Sequence, residues 1–173
     1  MTVSPTSRPR RCPLCGHPAA AGHLCAHPLA RYLGKRLDER HTLDRVLGKG
    51  GMGVVFGGLR ADGQRVAVKM LLPALASRPE LFERFRREAQ LASRLRHPNV
   101  VAVYDVGQTS DGGAYYVMEE VPGESLRTLV RREGALPLAR AVRIVEQIAA
   151  GLGAARAAGI VHRDLKPHNV MVD

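Results

Sequence analysis

This chain has few cysteines, few aromatic residues, few acids and no long apolar run. Aromatic side chains make up 4% of its 173 residues, too few to interleave with basic groups as a platform for stacked bases. The charge balance is basic, with 26 Lys and Arg against 16 Asp and Glu and a formal charge of +10. A charge of that size is compatible with a nucleic-acid or anionic-membrane partner. The arginines are spread, however: Arg84, Arg86, Arg87, Arg94 and Arg96 in one helical stretch, Arg131 and Arg132 in a second, Arg140 and Arg143 in a third. They read as solvated helix faces, and no nucleic-acid partner is expected. No run of eighteen apolar residues is present, and Met1-Thr2-Val3-Ser4-Pro5 lacks the apolar core of a signal peptide. The expectation is a cytoplasmic chain with no membrane span within it. The three cysteines all fall within the first 25 residues. Their odd number argues against a disulfide framework and fits a reducing compartment.

Hydrophobic residues amount to 45% of the chain, enough for one domain with a core. Residues 1–11, rich in Pro, Ser and Arg, are expected to be unstructured. Cys12-Pro13-Leu14-Cys15-Gly16-His17 follows, and then His23, Cys25 and His27. A Cys-x-x-Cys turn closed by Gly aims two thiolates at one ion, and zinc takes four N or S ligands in a tetrahedron. Cys25 is a third thiolate. His17, His23 and His27 compete for the fourth place, with Cys12, Cys15, Cys25 and His27 as the candidate set. The stretch resembles a miniature zinc ribbon that would not fold without metal. The opposing reading is a flexible tail with incidental cysteines. No strand-helix pattern flanks the pair, which argues against a redox dithiol. Residues 1–28 thus form a tail with a knuckle, and residues 29–40, of mixed charge and without an apolar stripe, read as a linker.

From His41 onward, short strands alternate with glycine turns. Residues 42–47 lead into Gly48-Lys49-Gly50-Gly51-Met52-Gly53, and residues 54–59 return as the partner strand. Gly48, Gly50 and Gly53 let the backbone approach a polyphosphate. By itself this is a weak signal, shared with plain hairpins and with dinucleotide folds, but a helix should open at the last Gly in the latter. Asp62-Gly63 is a turn signal, and in Val66-Ala67-Val68-Lys69-Met70 the alternation puts Lys69 on one face with Ala67. Residues 79–96 form a helix, since Leu81, Phe82, Phe85, Ala89, Leu91, Ala92 and Leu95 recur at three- and four-residue steps. Pro98 ends it. Strands are expected over 100–106 and 114–118. Ser125 caps a short helix over 126–133, Gly134 closes it, and Pro137 opens a longer one to about Ala158. The final stretch carries an acid (Asp164), a cation two residues on (Lys166) and an amide three beyond that (Asn169), between two apolar runs.

Taken together, glycine loop, strand lysine, helix glutamate, connecting segment and His162-Arg163-Asp164-Leu165-Lys166-Pro167-His168-Asn169 resemble the protein kinases, in the family's order. Lys166-Pro167 looks like the serine/threonine branch, and Gly-Gly-Met-Gly looks like the eukaryotic-like kinases of bacteria. The resemblance covers residues 41–173 and implies an α+β, protein-kinase-like fold. An antiparallel five-stranded lobe with an αC-type helix would span about 41–120, and the first helices of a mainly helical lobe about 121–173. It implies ATP-dependent phosphorylation of Ser and Thr on protein substrates, with ATP and Mg2+ as cofactors. Asp164 would be the base, Lys166 the cation beside the moving phosphoryl, and Asn169 a magnesium ligand. Lys69 would hold the phosphates and pair with Glu88. Val55, Ala67 and Met171 would line the adenine site, Met118 would stand as gatekeeper, and backbone groups of Glu119 and Val121 would meet the base. Glu124 and Ser125 are alternative ribose partners. Arg163 suggests control through a phosphorylated activation loop, and kinase-domain dimerisation is a candidate association. The sequence stops at Asp173, before any Asp-Phe-Gly segment, activation loop or substrate-binding helices. The expectation is therefore a fragment, inactive by itself, with the apolar stripe of its last long helix half exposed. The alternatives are a catalytically dead binding module, acting through the nucleotide lobe or the knuckle, and a small-molecule kinase.

Overall fold

β-branched and apolar residues between the glycine turns pair into one antiparallel sheet. The computed structural model describes residues 11–17 and 25–173; all but Arg11 of the expected tail over 1–11, and the candidate ligand His23, lie outside the described residues. Strands β1 (Arg36–Leu37), β2 (His41–Lys49), β3 (Gly53–Arg60) and β4 (Arg65–Leu71) are followed by a short helix, α1 (Pro73–Ala76), and by α2 (Pro79–Ala92). Strands β5 (Val103–Gln108) and β6 (Ala114–Glu119) complete a six-stranded sheet in the order β1-β2-β3-β4-β6-β5. Five strands match the expectation, and the sixth, β1, comes from the stretch read as linker. Beyond the sheet lie β7 (Glu124–Ser125), α3 (Leu126–Glu133), α4 (Leu138–Ala157) and β8 (Met171–Val172). No helix among the described residues is long and apolar enough to cross a membrane.

Cross-strand register sorts the sheet into two faces, because residues directly opposite one another share a face. One row runs Lys49, Val54, Met70, Tyr115, and the next Val46, Phe56, Val68, Val117. Val54, Phe56, Val68, Met70, Tyr115 and Val117 in these rows are all at most 1% exposed. The rows between them run Gly48, Val55, Lys69, Tyr116 and Arg45, Gly57, Ala67, Met118. Of these, Val55, Lys69, Tyr116 and Met118 are only half-buried. The first set is the back of the sheet and the second its front.

What seals the back is the chain's own beginning. Leu29 and Tyr32, on a 3-10 turn over Pro28–Tyr32, and Leu37 on β1 join the same core, with Cys12 and Leu14 of the knuckle. Residues 29–40 are therefore a packed cover rather than a linker. Their apolar side chains hang on a tight turn and a two-residue strand, which leave no period to read. The cover is also tied by polar contacts: the Tyr32 hydroxyl donates to Asp111 in the β5–β6 turn, and the Tyr115 hydroxyl donates to Asp38.

Two boundaries moved. α2 ends at Ala92 instead of 96, because the amides of Arg94 and Leu95 turn back tightly onto Leu91 O and Ala92 O. The strand expected over 100–106 begins at Val103, since Val100 closes a turn on His97. α3 follows its signals: Ser125 Oγ accepts from Thr128 N at 3.2 Å, and Gly134 ends the helix at φ +78°. On α4 the stripe divides, with Gly151 and Ala155 buried while Leu138, Val142 and Val145 stand exposed.

Candidate active site

The glycine turn between β2 and β3 is closed by Gly50 N donating to Gly53 O at 2.9 Å. Gly53 itself has a steric reason: a Cβ there would stand 2.0 Å from Met70 O across the sheet. The turn therefore sits directly on β4, two residues along from Lys69. Lys69 lies opposite both Val55 and Tyr116, and its Nζ stands 5.7 Å from the Tyr116 ring centroid. The ring face holds the ammonium on the front of the sheet. Phe85 of α2 stacks against the same Tyr116 ring at 5.1 Å.

The expected Lys69–Glu88 ion pair is not formed in this structure. Glu88 instead accepts from Arg84 Nε at 2.9 Å, one helical turn back on α2, with its side chain 60% exposed. An exposed i,i+4 pair of that kind is worth only about 0.3–0.5 kcal/mol, so it is easily exchanged for another partner. Met118 pairs with Ala67 across the sheet, as the front-face reading requires. After it, the Glu119 amide donates to Ala102 O at 2.8 Å, which takes up the N–H but not the carbonyl. Among the described residues the Val121 amide has no hydrogen-bond partner. Of the two ribose candidates, Glu124 is bound by Arg132 and Ser125 is engaged as the cap of α3.

Sequence reasoning missed Arg45. It lies in the front row beside Gly57, Ala67 and Met118, donates to Asp44 at 2.7 Å, and pairs with Glu120 in the segment after β6. The signal was available only as alternation along β2, and a register shift between Leu43 and Arg45 breaks that alternation.

At the other end, Lys166 Nζ donates to Asp164 Oδ1 at 2.9 Å and forms an ion pair with Oδ2 at 2.8 Å. Asn169 Nδ2 donates to Asp164 Oδ2 at 3.1 Å and to the Asp164 carbonyl at 2.8 Å. Lys166, and then Asn169, hold the Asp164 carboxyl below its ordinary range. It is therefore an anion and an acceptor at neutral pH. Spending its amide protons on Asp164 leaves Asn169 Oδ1 outward, an oxygen donor of the kind Mg2+ takes. The backbone just before the acid is unusual, with Arg163 at φ +56°.

This loop is fastened to the segment after the sheet. β7 pairs with β8, Glu124 opposite Val172 and Ser125 opposite Met171, and Leu126 N donates to Val170 O at 2.8 Å. Met171 therefore sits beside the connecting segment, 41% exposed. Gly123 makes the fastening possible. At φ +97° a Cβ there would stand 2.2 Å from Val172 O.

The knuckle brings its three thiols together. The sulfurs of Cys12, Cys15 and Cys25 lie within 4.8 Å of one another, and no disulfide joins them. The amides of Cys15 and Leu14 draw the Cys12 thiol down to about 6. His27 is not part of this cluster. Its Nδ1 accepts from Leu29 N at 3.2 Å as the cap of the 3-10 turn. A neutral imidazole that accepts at Nδ1 carries its proton on Nε2, which cannot then ligate a metal. In this structure His27 is thus engaged as a cap and does not stand with the three sulfurs.

Comparison with known proteins places this geometry. Residues 41–173 match the model of the protein kinase domain. The chain is 43% identical over 143 residues to the serine/threonine-protein kinase pkn3 of Myxococcus xanthus, covering 82% of this chain and 26% of that one. It is 42% identical over 145 residues to PknA of Mycobacterium tuberculosis, covering 81% and 34%. With PrkC of Bacillus subtilis it shares 43% over 145 residues, covering 82% and 22%. Among solved structures, the Mycobacterium tuberculosis PknI kinase domain superposes with a TM-score of 0.69 at 34% identity, over 80% of this chain and 57% of that one. The chain thus spans about a third or less of the length of these curated relatives.

Proposed function

The chain belongs to the protein kinase domain family, and from that premise we propose that it serves the transfer of the ATP γ-phosphoryl group to Ser and Thr hydroxyls of proteins. The observation that carries this reading is the Asp164 carboxylate, gripped by Lys166 and Asn169 on a loop that β7 and β8 fix in place. Bound Mg-ATP supplies the transferable group and the cation that offsets its charge. Asp164 accepts the hydrogen bond of the incoming hydroxyl, orients its oxygen in line with the γ-phosphorus, and takes up its proton as the new O–P bond forms and the bond to the β–γ bridging oxygen breaks, releasing ADP. Lys166, already within reach of Asp164, moves its charge towards the transferred phosphoryl. On the sheet, Gly48, Gly50 and Gly53 lie close over the phosphates, Val55, Ala67, Met118 and Met171 enclose the adenine, and the Glu119 carbonyl and the Val121 amide read its edge. Lys69 leaves the Tyr116 ring for the phosphates, and Glu88 leaves Arg84 to position it. The arrangement described above is then a resting one, and the weakness of the Arg84–Glu88 pair makes the exchange a small step.

The test is a pair of variants in the natural full-length protein. Asp164→Asn should lower phosphoryl transfer about 10²-fold or more with nucleotide affinity nearly unchanged. Lys69→Met should abolish transfer and weaken nucleotide binding, without lowering the melting temperature. Wild-type protein that binds ATP but transfers nothing to protein Ser or Thr would instead favour a binding module.

A further inference from the structure

The kinase reading leaves the thiol cluster unused, and three observations give it a task. The first is its shape. Cys12 N donates to His17 O and Gly16 N to Cys12 O, both at 2.8 Å, with Gly16 at φ +77°. This tight turn presents Cys12 and Cys15 on one side. Cys12 Sγ and Cys25 Sγ are 3.6 Å apart, too far for a disulfide. A zinc tetrahedron with Zn–S bonds of about 2.3 Å has S–S edges of about 3.8 Å. The cluster is thus spaced as three corners of such a site. Thiolates select zinc or another soft metal over Mg2+ or Ca2+.

The second observation is where the turn rests. Leu14, 3% exposed, is packed in the core at the back of the sheet with Val54, Phe56 and Met70. The third is a direct link. Lys49, between Gly48 and Gly50 of the glycine turn, belongs to the back row opposite Val54. Its Nζ donates to the carbonyl of Leu14, between the two cysteines, at 2.7 Å. The residue that carries the glycine turn's only charge is thus held by the knuckle.

We propose that Cys12, Cys15 and Cys25 hold a zinc ion, and that the metal-set turn clamps the glycine-rich turn through the Lys49–Leu14 hydrogen bond, so that zinc occupancy is felt at the nucleotide face. With the ion bound, the Leu14 carbonyl is a fixed acceptor and Lys49 anchors the turn in the conformation that meets phosphates. Without it, residues 11–17 keep only the packing of Leu14 and Cys12 and two backbone hydrogen bonds, and the acceptor is less firmly fixed. The fourth zinc position is open to another histidine or to water. The nucleotide consequence rests on the kinase reading; the metal and the clamp do not.

Elemental analysis of the chain purified without added metal should give about one zinc per chain, reduced severalfold in Cys25→Ser. No metal, or copper or iron in place of zinc, would overturn the site. Amide hydrogen exchange with and without chelator then reads the clamp. Removing zinc should speed exchange over residues 48–53 by about fivefold or more, leaving β6 unchanged. The same treatment should weaken binding of an ADP analogue by a similar factor. In Lys49→Met the zinc should remain while chelation no longer changes exchange over 48–53. Equal acceleration in β6 would mean general unfolding, and no acceleration would mean no clamp; either would sink the coupling. Loop exchange that responds to zinc in a chain that binds no nucleotide would leave the clamp standing and count against the kinase reading alone.

Discussion

The two faces of the six-stranded sheet are built from the same strands, often from adjacent residues, and do different work. In the back row through Phe56 and Val68, those two and Val117 are fully buried under residues the chain supplies from its own beginning, with Val46 at the row's end partly buried. The front rows, in which Val55, Lys69, Tyr116 and Met118 stay half-buried, carry Lys69, Met118 and the start of the glycine turn. The difference teaches that stability and chemistry have been separated by side-chain parity. A strand's period of two lets one sequence position hold the fold while its neighbour remains free to meet a ligand.

That separation can be broken from either side. The largest stability effect should come from Phe56→Ala, fully buried at the back, which should lose about 3–5 kcal/mol in urea unfolding. Its front-face neighbour provides the contrast: Val55→Ala should change stability by less than about 1 kcal/mol while weakening nucleotide binding measurably. If Val55→Ala unfolds the protein as Phe56→Ala does, the two faces are not separate. A smaller loss, about 0.5–1.5 kcal/mol, is expected for Tyr32→Phe, which removes the hydroxyl bond to Asp111 that fastens the cover. Nucleotide affinity should be unaffected.

The smallest effect is one of pH. His41, 3% exposed and with neither ring nitrogen partnered among the described residues, is held below its ordinary 6.5 by burial. Its folded form binds fewer protons than its unfolded form, so stability should fall as pH drops below about 6.5. His27, lowered in the same direction, adds to that slope. His41→Leu should flatten the loss between pH 7 and 5.5 in urea titrations, and an unchanged slope would rule His41 out as its source.

Much of the front face was legible in the sequence because strand alternation and glycine turns are local. Lys69 and Ala67 fell on one face, as their spacing required, and Ser125 and Gly134 bounded α3. The cover was illegible because Leu29, Tyr32 and Leu37 follow no period; only the sheet they rest on gives them a common direction. Glu88 is a different case. Its place on the helix could be counted from the sequence, but its partner could not, since Arg84 at i−4 offers a competing charge one turn away. His27 illustrates the same limit: composition makes it a ligand candidate, while a single backbone amide at Leu29 decides which nitrogen carries the proton.

The pairing of Glu124 with Val172 bears on the order in which the chain acquires its parts. All six strands of the sheet lie before residue 120, so a chain emerging N-terminus first can complete the sheet early. The ladder that seats Asp164 joins the two ends of a long segment and must wait until α3 and α4 have shortened the path between them. The six-stranded sheet can therefore be complete before the loop that carries Asp164 is seated.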